Sequence, residues 1–73
     1  MTRSKEEYRK IGPVSLRAIE ECNELIHILC KIERFGRDNF HPDKPETTNR
    51  DELLVEVKDV EYICKELRKE FDL

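Results

Sequence analysis

The helix-breaking residues of this chain are confined to two places. Gly12 and Pro13 stand together near the start, and Gly36, Pro42 and Pro45 fall in one short segment near the middle. The stretches 14–35 and 46–73 contain neither glycine nor proline. Nothing in them interrupts i→i−4 hydrogen bonding, and their apolar residues recur with the helical period. The chain is therefore expected to be all-α: two long antiparallel helices, 13–35 and 49–71, joined by a polar loop at 36–48. A charged N-terminal arm at 1–12 completes a single domain, 1–73. Pro13 suits a first helical turn, with Gly12 or Ser15 as cap, and Gly36 marks the stop. At the second helix, Thr48 with Asp51, or Asn49 with Glu52, has the form of a capping box.

At about 100° per residue, Ala18, Ile19, Cys22, Leu25, Ile26, Leu29 and Ile32 form one face of the first helix. Ile28 and Cys30 widen it to roughly 200° of arc. Leu53, Val57, Val60, Cys64, Leu67 and Phe71 form the stripe of the second. So wide an arc exceeds what one partner helix covers, and a chain of 73 residues buries too little surface to be comfortable alone. Assembly of several copies as a helical bundle, a dimer or a tetramer, is the expectation. The cysteines, Cys22, Cys30 and Cys64, are odd in number and lack zinc-site spacing. Cys22 and Cys64 fall among apolar positions and read as reduced core residues.

A net charge of −3 argues against nucleic-acid binding, which needs a basic surface. No apolar run is long enough to span a membrane, and "MTRSKEEYRK" lacks the apolar core of a signal peptide. These features point to the cytoplasm.

The acidic residues carry the chemical interest. "EECNE" puts Glu20, Glu21 and Glu24 within five positions, although like charges three and four apart on a helix repel by a few tenths of a kcal/mol per pair. Glu21 falls inside the apolar arc and Glu24 at its edge. On the second helix Glu56 lies at the edge of the stripe, with Asp59 and Glu52 just outside. Each helix thus carries an acidic pair spaced three apart, Glu21/Glu24 and Glu56/Asp59, and an antiparallel hairpin could bring the pairs together. Converging carboxylates cannot all stay ionised without a counter-charge, and hard oxygen ligands suit Mg²⁺ or Mn²⁺. The bland alternative is a set of solvated helix-surface acids. A rival metal chemistry, a ferritin-like di-iron site, would use Glu24 and His27 as E-x-x-H. His27, however, points nearly opposite the apolar face, and the second helix has Asp59 where a second histidine would be needed.

"EECNELIHILCKIERFG" followed by "TTNRDELLVEVKDV" resembles the MazG-like all-α nucleoside triphosphate pyrophosphohydrolases. Glu20-Glu21-x-x-Glu24 matches their first half-motif and Glu56-x-x-Asp59 the second. The likeness is greatest to small, phage-type members, and extends over residues 13 to about 67. It implies a Mg²⁺-dependent enzyme, Mn²⁺ being an alternative. Such an enzyme cleaves nucleoside triphosphates to monophosphate and pyrophosphate in nucleotide-pool control, in the host cytoplasm if phage-encoded. The resemblance makes Glu21, Glu24, Glu56 and Asp59 the metal ligands. Glu20 would position water or support another metal, or else be a solvated acid pairing with Lys31 or Arg17. Lys31, Arg34 and Lys58 could reach substrate phosphates or be plain solvated cations. His41, Pro42 and the "TTN" segment could touch the nucleotide, though loop and capping roles are the commoner use. Two departures stand out: Lys58 occupies a position often held by a small residue, and helices that follow the second motif in fuller members are missing. A non-catalytic helical oligomer of the same fold, binding protein or nucleotide, is the alternative these departures favour.

Overall fold

The computed structural model describes residues 11–73; most of the expected N-terminal arm lies outside them. Two α-helices make up the structure, α1 over Val14–Phe35 and α2 over Asn49–Glu70. No strand accompanies them among the described residues beyond one isolated antiparallel bridge, Phe40 to Thr48. Neither helix is long and apolar enough to cross a membrane. Lys31, late in α1, meets Glu52, early in α2, while Glu21 and Glu24 meet Glu56 and Asp59. One numbering rises as the other falls, so the helices are antiparallel.

The helix ends follow local chemistry. α1 starts one residue later than expected, and neither Gly12 nor Ser15 caps it. Pro13 is itself the N-cap, in extended geometry and without a side-chain bond; its carbonyl accepts from the amides of Leu16 and Arg17 at 3.1 and 3.2 Å. Gly36 ends α1 with φ 89° and ψ 158°, a combination open essentially only to glycine. Its amide donates to the Ile32 carbonyl at 2.7 Å. α2 opens with the first of the two expected capping boxes. The Asp51 amide donates to Thr48 Oγ1 at 3.2 Å and the Thr48 amide to Asp51 Oδ2 at 3.0 Å, which holds the Asp51 carboxyl below its ordinary pKa. The second possibility, Asn49 with Glu52, is not used. α2 ends at Glu70, and Phe71 is its C-cap.

Asn49 is instead the anchor of the loop. It is 3% exposed, its Nδ2 donates to the Gly36 carbonyl at 3.0 Å, and its amide donates to the Asn39 carbonyl at 2.8 Å. The Arg50 amide adds a bond to the Arg37 carbonyl at 2.9 Å. The end of α1, the loop and the start of α2 are thereby fastened into one unit.

The core differs from the expected one in a specific way. The buried apolar residues among those described are Ala18, Ile28 and Ile63. Ile63 is not a member of the expected α2 stripe, and Ile28 was expected only to widen the α1 arc. Ile19 and Ile26, toward one end of that arc, are each 58% exposed, and Leu29, near its middle, and Phe71 are exposed too. All three cysteines are exposed, which corrects the reading of Cys22 and Cys64 as core residues. The reason is geometric: one helix covers only part of a 200° arc, and α2 covers the flank that carries the acids.

Candidate functional site

The acidic pairs meet where the helices face each other. Glu21 and Glu24 project from α1, and Glu56 and Asp59 from α2. One carboxylate oxygen from each lies within 4.8 Å of the others. All four side chains are half-buried. The two pairs are each spaced one helical turn apart, so an antiparallel pair of helices aligns them in a patch two residues wide and two deep.

Their environment is electrostatically costly. Oε2 of Glu21, Glu24 and Glu56 is shut off from solvent, and for Glu56 that atom has no hydrogen-bond partner among the described residues. Burial pushes the Glu56 carboxyl up to about 7, helped by a hydrogen bond with Glu24 and by the negative charges of Glu24, Asp59 and Glu21. Without a cation, the cluster relieves itself by keeping a proton on Glu56 through most of the acidic range.

The donor set suits a hard divalent ion. Oxygens around one octahedral Mg²⁺, at 2.0–2.1 Å from the metal, stand about 3–4 Å apart. A cluster no wider than 4.8 Å needs only a small side-chain adjustment to reach that geometry. The buried Glu56 Oε2 is an oxygen that a cation would satisfy. There is no nitrogen or sulfur donor in the cluster, which disfavours zinc-type coordination. His27 is exposed and does not join the four acids, so Glu24-x-x-His27 is not a di-iron half-site in this fold.

The other sequence-derived candidates fall around this centre unevenly. Glu20 is half-buried but outside the group of four. Lys31 is not paired with Glu20; its Nζ donates to Glu52 Oε2 at 3.1 Å, both side chains being about a third exposed. Glu52 was noted only as lying beside the α2 stripe. Its place one turn before Glu56 was the available signal that it faces α1. Arg34 borders a hollow with Ile26, Leu29 and Cys30, on the open side of α1, and Lys58 is exposed. Of the three expected phosphate-binding cations, only Lys31 is on the face that α1 turns to α2. At the start of α2, Thr48 and Asn49 have the capping and anchoring roles described above, and in the loop His41 Nδ1 accepts from the Asp43 amide at 3.2 Å.

No family model, curated protein or solved structure matches this chain.

Proposed function

We propose that the protein is a divalent-cation-dependent nucleoside triphosphate pyrophosphohydrolase acting as a homo-oligomer. The observation that carries this reading is the convergence of Glu21, Glu24, Glu56 and Asp59 within 4.8 Å. The same residues fall on the two half-motifs through which the chain resembles the MazG-like enzymes. Support for assembly comes from the apolar residues that the hairpin leaves open, including Leu16, Ile19, Ile26, Leu54 and Tyr62.

In this reading the four acids hold Mg²⁺ or Mn²⁺. Such a cation, held by these acids, would supply charge neutralisation against the phosphates and would acidify the attacking water. The chain's own contribution is placement. Glu56 must give up the proton that burial and its acidic neighbours favour, so cation binding and deprotonation are coupled. Glu20, on the same turn as Glu21, is available to orient the attacking water. Lys31, held by Glu52, is available to bring positive charge toward a substrate phosphate. Water adds to the α-phosphorus, and the bond from that phosphorus to the α,β-bridging oxygen breaks. The electron pair leaves with pyrophosphate and the water's proton passes to solvent.

Incubation with a panel of ribo- and deoxynucleoside triphosphates, including damaged bases, plus Mg²⁺ tests the reading. The expected products are monophosphate and pyrophosphate. Diphosphate plus phosphate, or no turnover across the panel, refutes it and leaves the non-catalytic binding oligomer.

A further inference from the structure

We infer that the outward face of α1 is a two-fold interface with a second copy of this chain, the two α1 helices packing antiparallel as a short coiled coil. The inference gives a form to the homo-oligomer of the proposed function and rests on that part of it, not on hydrolysis. Ser15, Ile19, Cys22, Ile26, Leu29 and Glu33 follow one another along α1 at alternating spacings of four and three, which is the a/d pattern of a coiled-coil seam. At about 100° per residue they share one stripe, and Glu21 and Glu24 lie about 140–160° round the helix from Ile26. The hairpin leaves this stripe open. Ile19 and Ile26 are each 58% exposed and Leu29 43%, and Cys22 is exposed as well. One side of α1 thus packs on α2 with the acids, and the seam runs along the other.

Three observations select a second copy as the occupant and set its direction. First, the seam carries a ready-made hole. A hollow of about 320 Å³ is bordered by Ile26, Leu29, Cys30, Glu33 and Arg34, and the first four have the spacing of the four residues that surround one knob in coiled-coil packing. An antiparallel copy pairs a with d positions, which brings the partner's Ile19 into this hollow, level with Leu29. Second, the pairing is self-complementary, as a two-fold interface requires. Ile19 meets the partner's Leu29, Cys22 meets the partner's Ile26, and the same contacts recur across the axis. Third, the charges agree with this direction. α1 begins without a side-chain cap and without an acid in its first turn. The antiparallel register brings the partner's Glu33 level with Ser15, beside that helix start, where a carboxylate is favourable. A parallel register would instead set Glu33 against the partner's Glu33, and like charges repel.

Sedimentation equilibrium and methyl NMR of the full chain test the interface. The wild type should sediment as a dimer or a multiple of one. In a mixture of isotope-labelled and unlabelled chains, filtered nuclear Overhauser spectra should show Ile19 methyl groups touching Leu29 methyl groups between chains. Within one helix those residues stand about 15 Å apart, so no single chain gives this signal. A monomer, or contact of Ile19 with the partner's Ile19 in its place, overturns the inference. Ile26→Glu should raise the dimer dissociation constant at least about a hundredfold, because each copy loses a buried isoleucine. Ile26 is exposed in the hairpin itself, so the helix content by circular dichroism should stay the same. A dimer that persists in Ile26→Glu overturns the seam. An oligomer with the Ile19–Leu29 contact but no turnover of any triphosphate upholds the seam and refutes the hydrolase reading, whereas turnover by a chain that sediments as a monomer refutes the seam alone.

Discussion

Replacing Glu56 with glutamine should make the metal-free protein more stable at pH 8 while abolishing turnover. In the folded state this carboxyl keeps its proton to about pH 7, against 4.5 for an unperturbed group. Between those values the folded chain binds more protons than the unfolded one. Stability from this group is therefore fully present below about pH 4.5 and lost as pH rises through about 7. At 1.36 kcal/mol per pKa unit the ceiling is about 3 kcal/mol. Because the side chain is only half-buried, solvent screening reduces the expected effect to about 1–2 kcal/mol. For a chain of this length that is a rise of about 5–10 °C in Tm. Melting curves of wild type and Glu56→Gln, without divalent ions, would be recorded at pH 4.5 and pH 8. The gain should appear at pH 8 and shrink toward zero at pH 4.5. Mg²⁺ or Mn²⁺ should then raise the wild-type Tm by mass action, about 2.7 kcal/mol at a hundredfold excess over Kd, and raise the variant's much less. A variant no more stable than wild type at pH 8, with a wild-type melt indifferent to both ions, would refute the charge argument.

Two further expectations concern the frame that holds the site. Gly36→Ala should cost about 1–3 kcal/mol, because φ is 89° there. No atom would crowd the added methyl group, so backbone strain alone accounts for the loss, and denaturant melts showing no loss would contradict the assigned backbone. Thr48→Ala should cost about 1 kcal/mol by removing the oxygen that accepts from the Asp51 amide; hydrogen exchange should rise first at the start of α2, and uniform exchange along both helices would argue against a local cap.

The distribution of glycine and proline made the two helices legible, because Gly36 and the prolines leave the helical stretches uninterrupted. The meeting of Glu21 and Glu24 with Glu56 and Asp59 was legible for a related reason: a spacing of three on each helix, plus antiparallel packing, admits few other arrangements. The sequence did not reveal which flank of the α1 arc faces α2. Counting apolar residues admits a seam through Ile19, Cys22, Ile26 and Leu29 as readily as one through Ala18, Leu25, Leu29 and Ile32, whereas the hairpin closes on Ala18, Ile28 and Ile63. That choice depends on contacts between segments far apart in the chain, which helical periodicity does not encode. Lys31–Glu52 and the buried Asn49 escaped for the same reason: each joins residues ten or more positions apart.

The placement of the acids explains the modest apolar core. A hairpin that turned Ile19, Ile26 and Leu29 toward α2 would bury more hydrocarbon but would carry its carboxylates to the outside, separated and hydrated. The observed hairpin buries few large apolar side chains. Ile28 and Ile63 contribute about 1.5–3 kcal/mol each, and part of that is offset by the repulsion that raises the Glu56 pKa. One face of α1 is thus given to charge and the adjoining face is left apolar and open. Such a division is wasteful in an isolated hairpin. It is consistent with a chain whose acidic seam is completed by a cation and whose open face is completed by other copies. In that arrangement the stabilising contacts lie away from the carboxylates, so the acids can change protonation and ligation without dismantling the fold.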